Sequence, residues 1–458
     1  MKHDYWQKLV VVLVIALALR QGTGWMWQVY LTGPFGLWDR PFHRQFGLGD
    51  SETYWSLGLA IAEGRPYTYE PSGAQVFRTP GYPILLAPIL WLAGDSLSAV
   101  LLARAEAALL GTLAMLAVWW LTRLLFDDRA AMIAAILAAI YPEAIGLGAL
   151  ILSEAPFCPL MLLQLGLWII AWNSATSRRR TIFGFCGGLA AGAATMMRPS
   201  WLLFTPFAAV VGLLVGDRAA EAQTRRTSPP AKRRSAAALQ HLWIATCMIL
   251  GLIVVMLPWW IRNFQVTGRF VPTTLQVGAS LYDGLNPDAT GASNMNFVPP
   301  FLATDPQPDH PNADSPEMHQ DRDLRHEAIA WAWANPARAL QLAGVKFLRM
   351  WNVWPNEPRL SHWPLRLAVL FTYTPLLFFA IIGALRTFRR GWPYILCWLP
   401  AVYLTLLHVV FVGSIRYRGP AMLALLALAA GEIGIRDWGL GIRKEAKNGT
   451  SADKKLEA

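Results

Sequence analysis

Charged side chains are scarce in this chain of 458 residues: Asp, Glu, Lys and Arg together make up only 15% of it. Hydrophobic residues make up 55%, 22 residues are Trp, and the mean hydropathy is +0.35. A soluble multidomain protein of this length needs more polar surface than this composition supplies. The shortage of charge therefore excludes a soluble multidomain protein and predicts an all-α polytopic membrane protein.

Cysteine is also rare. The four cysteines all fall in apolar segments, and their spacing fits neither a disulfide framework nor a metal site: Cys158, Cys186, Cys247 and Cys397. The histidines at positions 310, 319, 326 and 362 are scattered through a polar stretch without ligand spacing. Cysteine and histidine therefore indicate no metal centre.

Acidic residues are outnumbered, with 29 Asp and Glu against 40 Lys and Arg, so the formal net charge is +11. A basic chain can bind nucleic acid, but here the cations form short clusters between apolar segments. That distribution is typical of cytoplasmic loops, which carry an excess of Lys and Arg. We therefore expect membrane lipids as partners and no nucleic acid.

Long apolar segments predict about ten transmembrane helices, with both termini in the cytoplasm. The segments are 9–31, 97–125, 130–152, 155–174, 181–197, 200–216, 241–261, 363–385, 392–412 and 419–435. A shorter apolar stretch, 81–94, opens with Pro-Gly-Tyr-Pro and predicts an interfacial or re-entrant helix. Helical periodicity with Trp residues in 317–350 predicts an amphipathic helix on the membrane surface. No internal repeat of the transporter kind is visible.

Several charges fall at the outer ends of these segments, where the positive-inside rule does not explain them. They are Asp50, Glu52, Arg78, Glu154, Arg198, Arg262, Arg416 and Arg418. A charge placed near the hydrocarbon costs about 2.5 to 3.5 kcal/mol, and such residues commonly mark a substrate path. Snorkelling to the interface is the alternative for any single Arg, but it explains a mixed cluster on one face less well.

The order of these motifs resembles the GT-C membrane glycosyltransferases. Within that superfamily the chain is most similar to the protein O-mannosyltransferase and 4-amino-arabinose lipid A transferase group (family 39-like). The resemblance covers roughly residues 5–435. It is carried by Gly49-Asp50 to Pro83, Leu152-Ser153-Glu154, Met197-Arg198-Pro199, Pro258-Trp259-Trp260-Ile261-Arg262-Asn263, Gly268-Arg269-Phe270-Val271-Pro272 and Arg416-Tyr417-Arg418.

The resemblance implies a polyprenyl-phosphate sugar as donor, an active site at the periplasmic membrane face, and an acidic catalytic base in the first outer loop. By position that base is Asp50, with Glu52 as a second carboxylate, and either could take the proton. The same two carboxylates could hold a divalent cation, although two ligands alone make a thin site. Asp50 could also simply cap the helix that begins after it.

The chemistry of glycosyl transfer suggests roles for the other charged residues. A base must remove the acceptor proton, and cations must stabilise the departing phosphate. Arg78 and Arg262 fit the phosphate-binding role, with Arg416 and Arg418 as further phosphate ligands. Four residues are expected to contact substrate: Tyr54, Tyr82, Glu154 and Arg198. The alternatives are that the tyrosines belong to an aromatic belt and that Glu154 only pairs with Arg198.

One transmembrane glycosyltransferase domain is expected over residues 1–435, followed by a disordered cytoplasmic tail, 436–458. Within the domain we expect a first periplasmic loop with the catalytic acids, a basic cytoplasmic linker and a large periplasmic loop, at 32–96, 217–240 and 263–362. The expected location is the bacterial inner membrane. The expected donated sugar is a hexose or a pentose. The expected acceptor is a lipid, a glycan or a protein. The alternative functions are a flippase or transporter of lipid-linked saccharides and an oligosaccharide polymerase or ligase.

Overall fold

The protein is all-α over the residues that the computed structural model describes, which are 2–32, 46, 49–69, 72–215, 230–298, 315–354 and 362–435. Apart from short 3₁₀ turns, its named elements in these ranges are α-helices, and one isolated bridge joins Tyr69 to Ala74. The helices are α1 (Lys2–Thr32), α2 (Gly49–Ala62), α3 (Gly81–Ala93), α4 (Leu97–Leu125), α5 (Asp128–Ile140), α6 (Pro142–Leu147), α7 (Glu154–Asn173), α8 (Ser177–Met197), α9 (Phe204–Val215), α10 (Pro230–Thr267), α11 (Val277–Gly284), α12 (Pro316–Ala334), α13 (Pro336–Trp351), α14 (Trp363–Thr387), α15 (Trp392–His408) and α16 (Ile415–Ile435).

Five helical stretches in the described ranges are long and apolar enough to cross a membrane, and they lie in α1, α4, α7, α10 and in α14 with the turn that follows it. Three shorter apolar stretches coincide with α3, with α15, and with α9 together with the turn before it. The expectation of a polytopic, all-α membrane protein is confirmed. The remaining predicted spans, 181–197 and 419–435, are helical as α8 and α16.

Two predicted elements are divided by proline. The span expected at 130–152 is two helices, because α5 ends at Ile140 and Pro142 begins the short α6. The amphipathic helix expected within 317–350 is likewise two, since Asn335 ends α12 and Pro336 begins α13. Proline cannot continue a helix without losing a hydrogen bond, but it fits the first turn of a new one.

The basic linker predicted at 217–240 is partly helical, because α10 already begins at Pro230. Residues 216–229 lie outside the described residues, as does the tail predicted at 436–458.

α16 is the central helix of the bundle. Every residue from 421 to 430 is buried, and the helix packs against α4, α5, α14 and α15. Its sequence explains the position, because the stretch from Ala421 to Ala430 consists of Ala and Leu with one Met and has no polar stripe. A helix that is apolar on all sides is stable only where protein or lipid surrounds it.

Glycines let α8 and α10 approach each other closely. A Cβ atom added at Gly188 would overlap the main chain of Met248, and one added at Gly251 would overlap the main-chain oxygen of Phe185. Small residues at such positions are the usual means of close helix packing in membranes. The Gly- and Ala-rich composition of α8 therefore has a packing role.

A buried arginine lies between α1 and its neighbours. Arg20 is 1% exposed and donates to the main-chain oxygens of Ala16 and Ala138, each at 3.0 Å. Gly111 and Gly148 leave room for its guanidinium, since a Cβ at either would press on the Arg20 side chain. The single interruption of the first apolar segment is thus accommodated by two glycines that lie far along the chain.

The contact between α8 and α10 can be tested with Gly188→Ala. The added methyl must displace the Met248 main chain, so we expect a loss of about 1 to 3 kcal/mol of stability and a lower melting temperature in detergent. Gly22→Ala in α1 is the control, because nothing lies within 4 Å of a Cβ there. Melting is followed by tryptophan fluorescence. Equal melting temperatures for the two variants would contradict the packing role.

Candidate active site

Asp50 lies in the first turn of the short helix α2. That position favours a carboxylate because the N-terminus of a helix carries a partial positive charge. α2 is held by its buried face, where Trp55 donates to Asp95 at 2.9 Å and packs against Phe46. The Asp50 side chain remains 33% exposed, so an incoming group can reach it.

Two arginines contact Asp50, one on each carboxylate oxygen. Arg78 Nη2 lies 2.7 Å from Oδ1, and Arg416 Nη1 lies 2.7 Å from Oδ2. Arg78 comes from the segment between α2 and α3, whereas Arg416 lies in the first turn of the central helix α16. The contact thus joins two parts of the chain that are 366 residues apart.

Glu154 is the second carboxylate of the cluster and is fully buried at the start of α7. Arg198 Nη1 lies 2.5 Å from its Oε1. Arg416 binds it with two nitrogens, Nε to Oε1 and Nη2 to Oε2, the second at 3.0 Å. One guanidinium therefore bridges Asp50 and Glu154, and the pairing of Glu154 with Arg198 that the sequence left open is present as well.

The charges in the cluster keep Asp50 ionised. Burial alone would raise the pKa of Asp50, but the nearby Arg416 and Arg78 outweigh it and hold that pKa well below its usual range. Burial would likewise lower the pKa of Arg78, and the charge of Asp50 reverses this and raises it. The site contains three cations and two anions, Arg78, Arg198, Arg416, Asp50 and Glu154, so it has one positive charge in excess.

Aromatic rings support the arginines. The guanidinium of Arg78 lies 5.6 Å from the ring centre of Tyr54 and 5.1 Å from that of Phe77. The Tyr54 hydroxyl donates to Ser153 Oγ at 3.2 Å, and Tyr82 packs edge-on against the Tyr54 ring. Tyr54 is 5% exposed and Tyr82 is fully buried, so both rings are packed beneath the charged cluster.

His408 is a site residue that the sequence reasoning missed. It stacks on Tyr417 with ring centres 3.9 Å apart, and its Nδ1 lies 3.1 Å from the Val412 oxygen. Arg198 also adjoins this pair, since its guanidinium lies 5.6 Å from the centre of the Tyr417 ring. The available sequence signal was a histidine at the end of an apolar segment, eight residues before Arg416-Tyr417-Arg418.

Arg418 and Arg416 serve different partners. Arg418 is fully buried, pairs with Glu143 and donates to the main-chain oxygens of Met350 and Asn352. Its guanidinium lies 3.6 Å from the ring centre of Tyr373. Two residues of separation turn a side chain by roughly 200° around a helix, so one α16 sequence motif supplies two separate sites.

The same helical rotation separates the two acids of α2. Glu52 lies roughly 200° from Asp50 around the helix, on the side where its charge acts on Tyr69. Asp50 is therefore the α2 carboxylate that meets Arg78 and Arg416.

Arg262 lies beneath the segment that carries Arg78. It donates to the main-chain oxygens of Gln75 at 2.7 Å and Tyr67 at 3.0 Å, and it stacks over Trp259 at 4.9 Å. The structure thus uses this guanidinium to hold the first outer loop against the end of α10.

Glu317, at the start of α12, holds the same loop from another side and was also missed. Its carboxylate accepts from the main-chain N–H groups of Gln75 at 2.9 Å and Val76 at 3.0 Å. Burial raises the pKa of Glu317, and the two N–H groups partly counteract this. A lone acid in a long polar loop gave no sequence signal for this contact.

No group of three or more His, Cys, Asp or Glu side chains in the described part of the chain could hold a metal ion. The two acidic groups of the cluster instead face arginines. Asp50 and Glu52 lie roughly 200° apart around α2, so these two carboxylates do not fit a divalent cation shared between them.

One protein-family model and several solved structures are similar to this chain. The family model described as dolichyl-phosphate-mannose-protein mannosyltransferase matches residues 78–260. The oligosaccharyltransferase AglB of Archaeoglobus fulgidus, solved with an inhibitory peptide and a dolichol-phosphate, has 19% identity and a TM-score of 0.50, covering 93% of this chain and 50% of that one. Its apo form has 18% identity and a TM-score of 0.50, covering 92% and 50%. ArnT of Cupriavidus metallidurans bound to undecaprenyl phosphate has 16% identity and a TM-score of 0.44, covering 92% and 77%.

No curated protein sequence matches the chain. The chain spans about half the length of the archaeal oligosaccharyltransferase that it resembles. At these identities the two AglB structures, each with a TM-score of 0.50, show a shared fold and no more. The predicted resemblance to the GT-C membrane glycosyltransferases is confirmed.

The contact between Glu317 and the first outer loop can be tested with Glu317→Gln. The amide can offer only one acceptor oxygen to two N–H groups, and it loses the charge that strengthens both bonds. We expect hydrogen exchange at the Gln75 and Val76 amides to accelerate by about tenfold or more. The control is Glu327→Gln, an exposed acid on the same helix. Unchanged exchange in Glu317→Gln would refute the role of Glu317 in holding the loop.

Proposed function

We propose that this protein transfers a sugar from a polyprenyl-phosphate donor to an acceptor hydroxyl or amine at the membrane face that carries Asp50. The observation that supports this most is the Arg416 guanidinium, which bridges Asp50 and Glu154 while Arg78 and Arg198 complete the cluster. The one positive charge in excess suits a phosphate anion. The position at the ends of membrane helices suits a phosphate attached to a lipid, which cannot travel far from the headgroup plane.

Asp50 is the proposed base. Its carboxylate is ionised and partly exposed, whereas Glu154 is fully buried behind the arginines. The acceptor oxygen or nitrogen attacks the anomeric carbon while Asp50 takes its proton, and the bond from the anomeric carbon to the phosphate oxygen breaks. Polyprenyl phosphate leaves as the anion, and Arg78 and Arg416 stabilise its charge. A direct displacement of this kind inverts the anomeric configuration.

The arginine contacts also suggest how donor binding activates the base. Two arginines depress the basicity of Asp50, so Asp50 is a weak base as long as they contact it. A phosphate that attracts Arg78 and Arg416 competes with Asp50 for the same N–H groups. Its arrival therefore raises the basicity of Asp50 at the moment when a base is needed. Glu154 retains Arg198 and Arg416 during this exchange.

The other predicted site residues take supporting roles in this proposal. Arg262 and Arg418 already donate to main-chain oxygens, so they are proposed to hold the walls of the site rather than the phosphate. Tyr54 and Tyr82 form its floor, and Glu52 lies to one side. The sugar, hexose or pentose, and the acceptor, lipid, glycan or protein, are set by groups outside the cluster.

The arrangement of cations supports a periplasmic site in a bacterial inner membrane with cytoplasmic termini. α8 begins with Arg178, Arg179 and Arg180 and ends beside Arg198, so the triple-arginine cluster lies at the end of the bundle opposite the site. α15 likewise begins after Arg389 and Arg390 and ends at His408 beside the site. Basic clusters favour the cytoplasmic side.

Release of polyprenyl phosphate tests the proposal directly. Purified protein is incubated with a panel of polyprenyl-phosphate hexoses and pentoses and with membrane extract as the source of acceptor. One donor should turn over, and Asp50→Asn should reduce the rate by roughly 10² to 10⁴ because a general base is lost. Arg78→Ala should also reduce it strongly.

Glu63→Gln is the matched control, because Glu63 is an exposed acid just after the end of α2 and pairs with Arg65. It should retain the wild-type rate. Equal rates for Asp50→Asn and wild type would refute Asp50 as the base. If every donor stays intact while lipid-linked sugar crosses proteoliposomes, the protein is a transporter instead.

The pH dependence of kcat/KM gives an independent test, since it reports ionisations of the free enzyme. The pKa of Asp50 is depressed in the folded protein, so its pairing stabilises the fold above the ordinary pKa of about 3.9 and is lost only as the pH falls below it. We expect no acid limb from Asp50 above about pH 4. Arg78→Gln should raise the pKa of Asp50 and bring the limb upward. An acid limb at the same pH in wild type and in Arg78→Gln would contradict this prediction.

A further inference from the structure

α13 exposes a mainly apolar face, in which Gln341 is exposed as well. Leu340 is 76% exposed and Leu348 is 66% exposed, and Trp333 at the end of α12 extends the same face with 82% exposure. Eight residues separate Leu340 from Leu348, so both lie on one side of α13, and Trp333 lines the same groove as Ala339 of α13. The opposite side of α13 buries Leu342 and Met350.

Main-chain oxygens hold the three cations of α13, and Arg338 also donates to Oε1 of the exposed Gln341 at 2.8 Å. Lys346 is buried and donates to the Val410 oxygen at 2.7 Å, Arg338 donates to the Ala289 oxygen at 3.3 Å, and Arg349 donates to the Gly413 oxygen at 3.3 Å. A surface that binds acidic headgroups or acidic proteins would present such cations outward. This face presents hydrocarbon instead.

An open groove of about 450 Å³ adjoins the face. It lies among α11, α12, α13 and the segment after α15, and its walls are apolar: Leu281, Leu285, Ile329, Trp333, Ala339 and Val410. The volume falls in the range of ligand pockets in proteins. No charged side chain lines it.

Contacts at the end of α13 join this surface to the apolar helix bundle. Trp351 Nε1 donates to Thr405 of α15 at 2.9 Å, and the Tyr373 hydroxyl of α14 donates to the Trp351 oxygen at 3.0 Å. The groove residue Val410 is 43% exposed, and Leu406, one turn earlier in α15, is 54% exposed. The apolar wall of the groove is therefore continuous with the lipid-facing side of an apolar bundle helix.

We propose that the Trp333–Leu340–Leu348 face lies in the hydrocarbon boundary of the leaflet on the Asp50 side, and that the groove holds one acyl chain of a bilayer lipid. Burial of large apolar side chains in that boundary offsets their exposure in water. The bound chain also contacts Val410, in the segment 409–414 that leads to Arg416. The lipid thus fixes the depth of the arginine cluster relative to the headgroup phosphates.

Depth of the face is measured by spin labelling in lipid nanodiscs. Nitroxide labels at Leu340→Cys and Leu348→Cys should relax strongly with oxygen, which concentrates in lipid, and weakly with a water-soluble nickel chelate. Arg322→Cys, an exposed position on α12, is the water-facing control. Unsubstituted protein carried through the same labelling gives the background of the native cysteines. Labels at 340 and 348 that respond like the label at 322 would overturn the proposal.

Occupancy of the groove is measured by photocrosslinking with Ile329→p-benzoylphenylalanine, followed by mass spectrometry. The expected product is a phospholipid adduct, and Ala339→Trp, which fills the groove, should abolish it while the labels at 340 and 348 stay lipid-exposed. An adduct with a second copy of the chain or with another polypeptide would overturn the acyl-chain assignment. Absence of any lipid adduct would overturn it equally.

Discussion

The contact of one guanidinium with two carboxylates organises this protein. Arg416 reaches Asp50 and Glu154 at once and thereby ties the first turns of α2, α7 and α16 together at one end of the bundle. The two acids are favourable at helix N-termini, whereas an arginine in a first turn is not. α16 therefore keeps Arg416 only because carboxylates from two other helices surround it. Removing either acid would leave an arginine with less compensation in a nearly closed site.

Such a cluster is weak evidence for stability. Burying charges costs several kcal/mol for each ion, and their attraction often does no more than offset that cost. The excess of one cation, together with the partial exposure of Asp50, fits the proposed binding of a phosphate better than a need for a stronger fold. The surrounding architecture supplies the stability instead, through the buried α16 and the close approach of α8 to α10.

Much of the architecture could be predicted from the sequence, because long apolar runs and arginine clusters report membrane helices directly. The ordered motifs also brought Asp50, Arg78, Glu154, Arg198 and Arg416 forward as site candidates. The sequence did not reveal in which direction each side chain points around its helix. Arg418 and Glu52 are each two residues from Arg416 and Asp50, and on a helix that spacing is a rotation of roughly 200°. Glu317 acts through a contact 242 residues away in sequence, and the stacking of His408 on Tyr417 depends on how the segment between α15 and α16 folds back. The sequence suggested a phosphate-binding role for Arg262, and nothing in it reported the main-chain oxygens that this guanidinium contacts.

The pairing of Arg418 with Glu143 has a meaning beyond its own neighbourhood. It fixes the start of α16 on the side away from Asp50, while Arg416 fixes it on the other. A helix held by two opposed side chains cannot turn about its own axis without breaking both contacts. The angular setting of α16 is therefore determined by Glu143 on α6, a residue that no donor or acceptor needs to touch. In the proposed reaction, the geometry that meets the donor phosphate is therefore set within the bundle before the substrate binds.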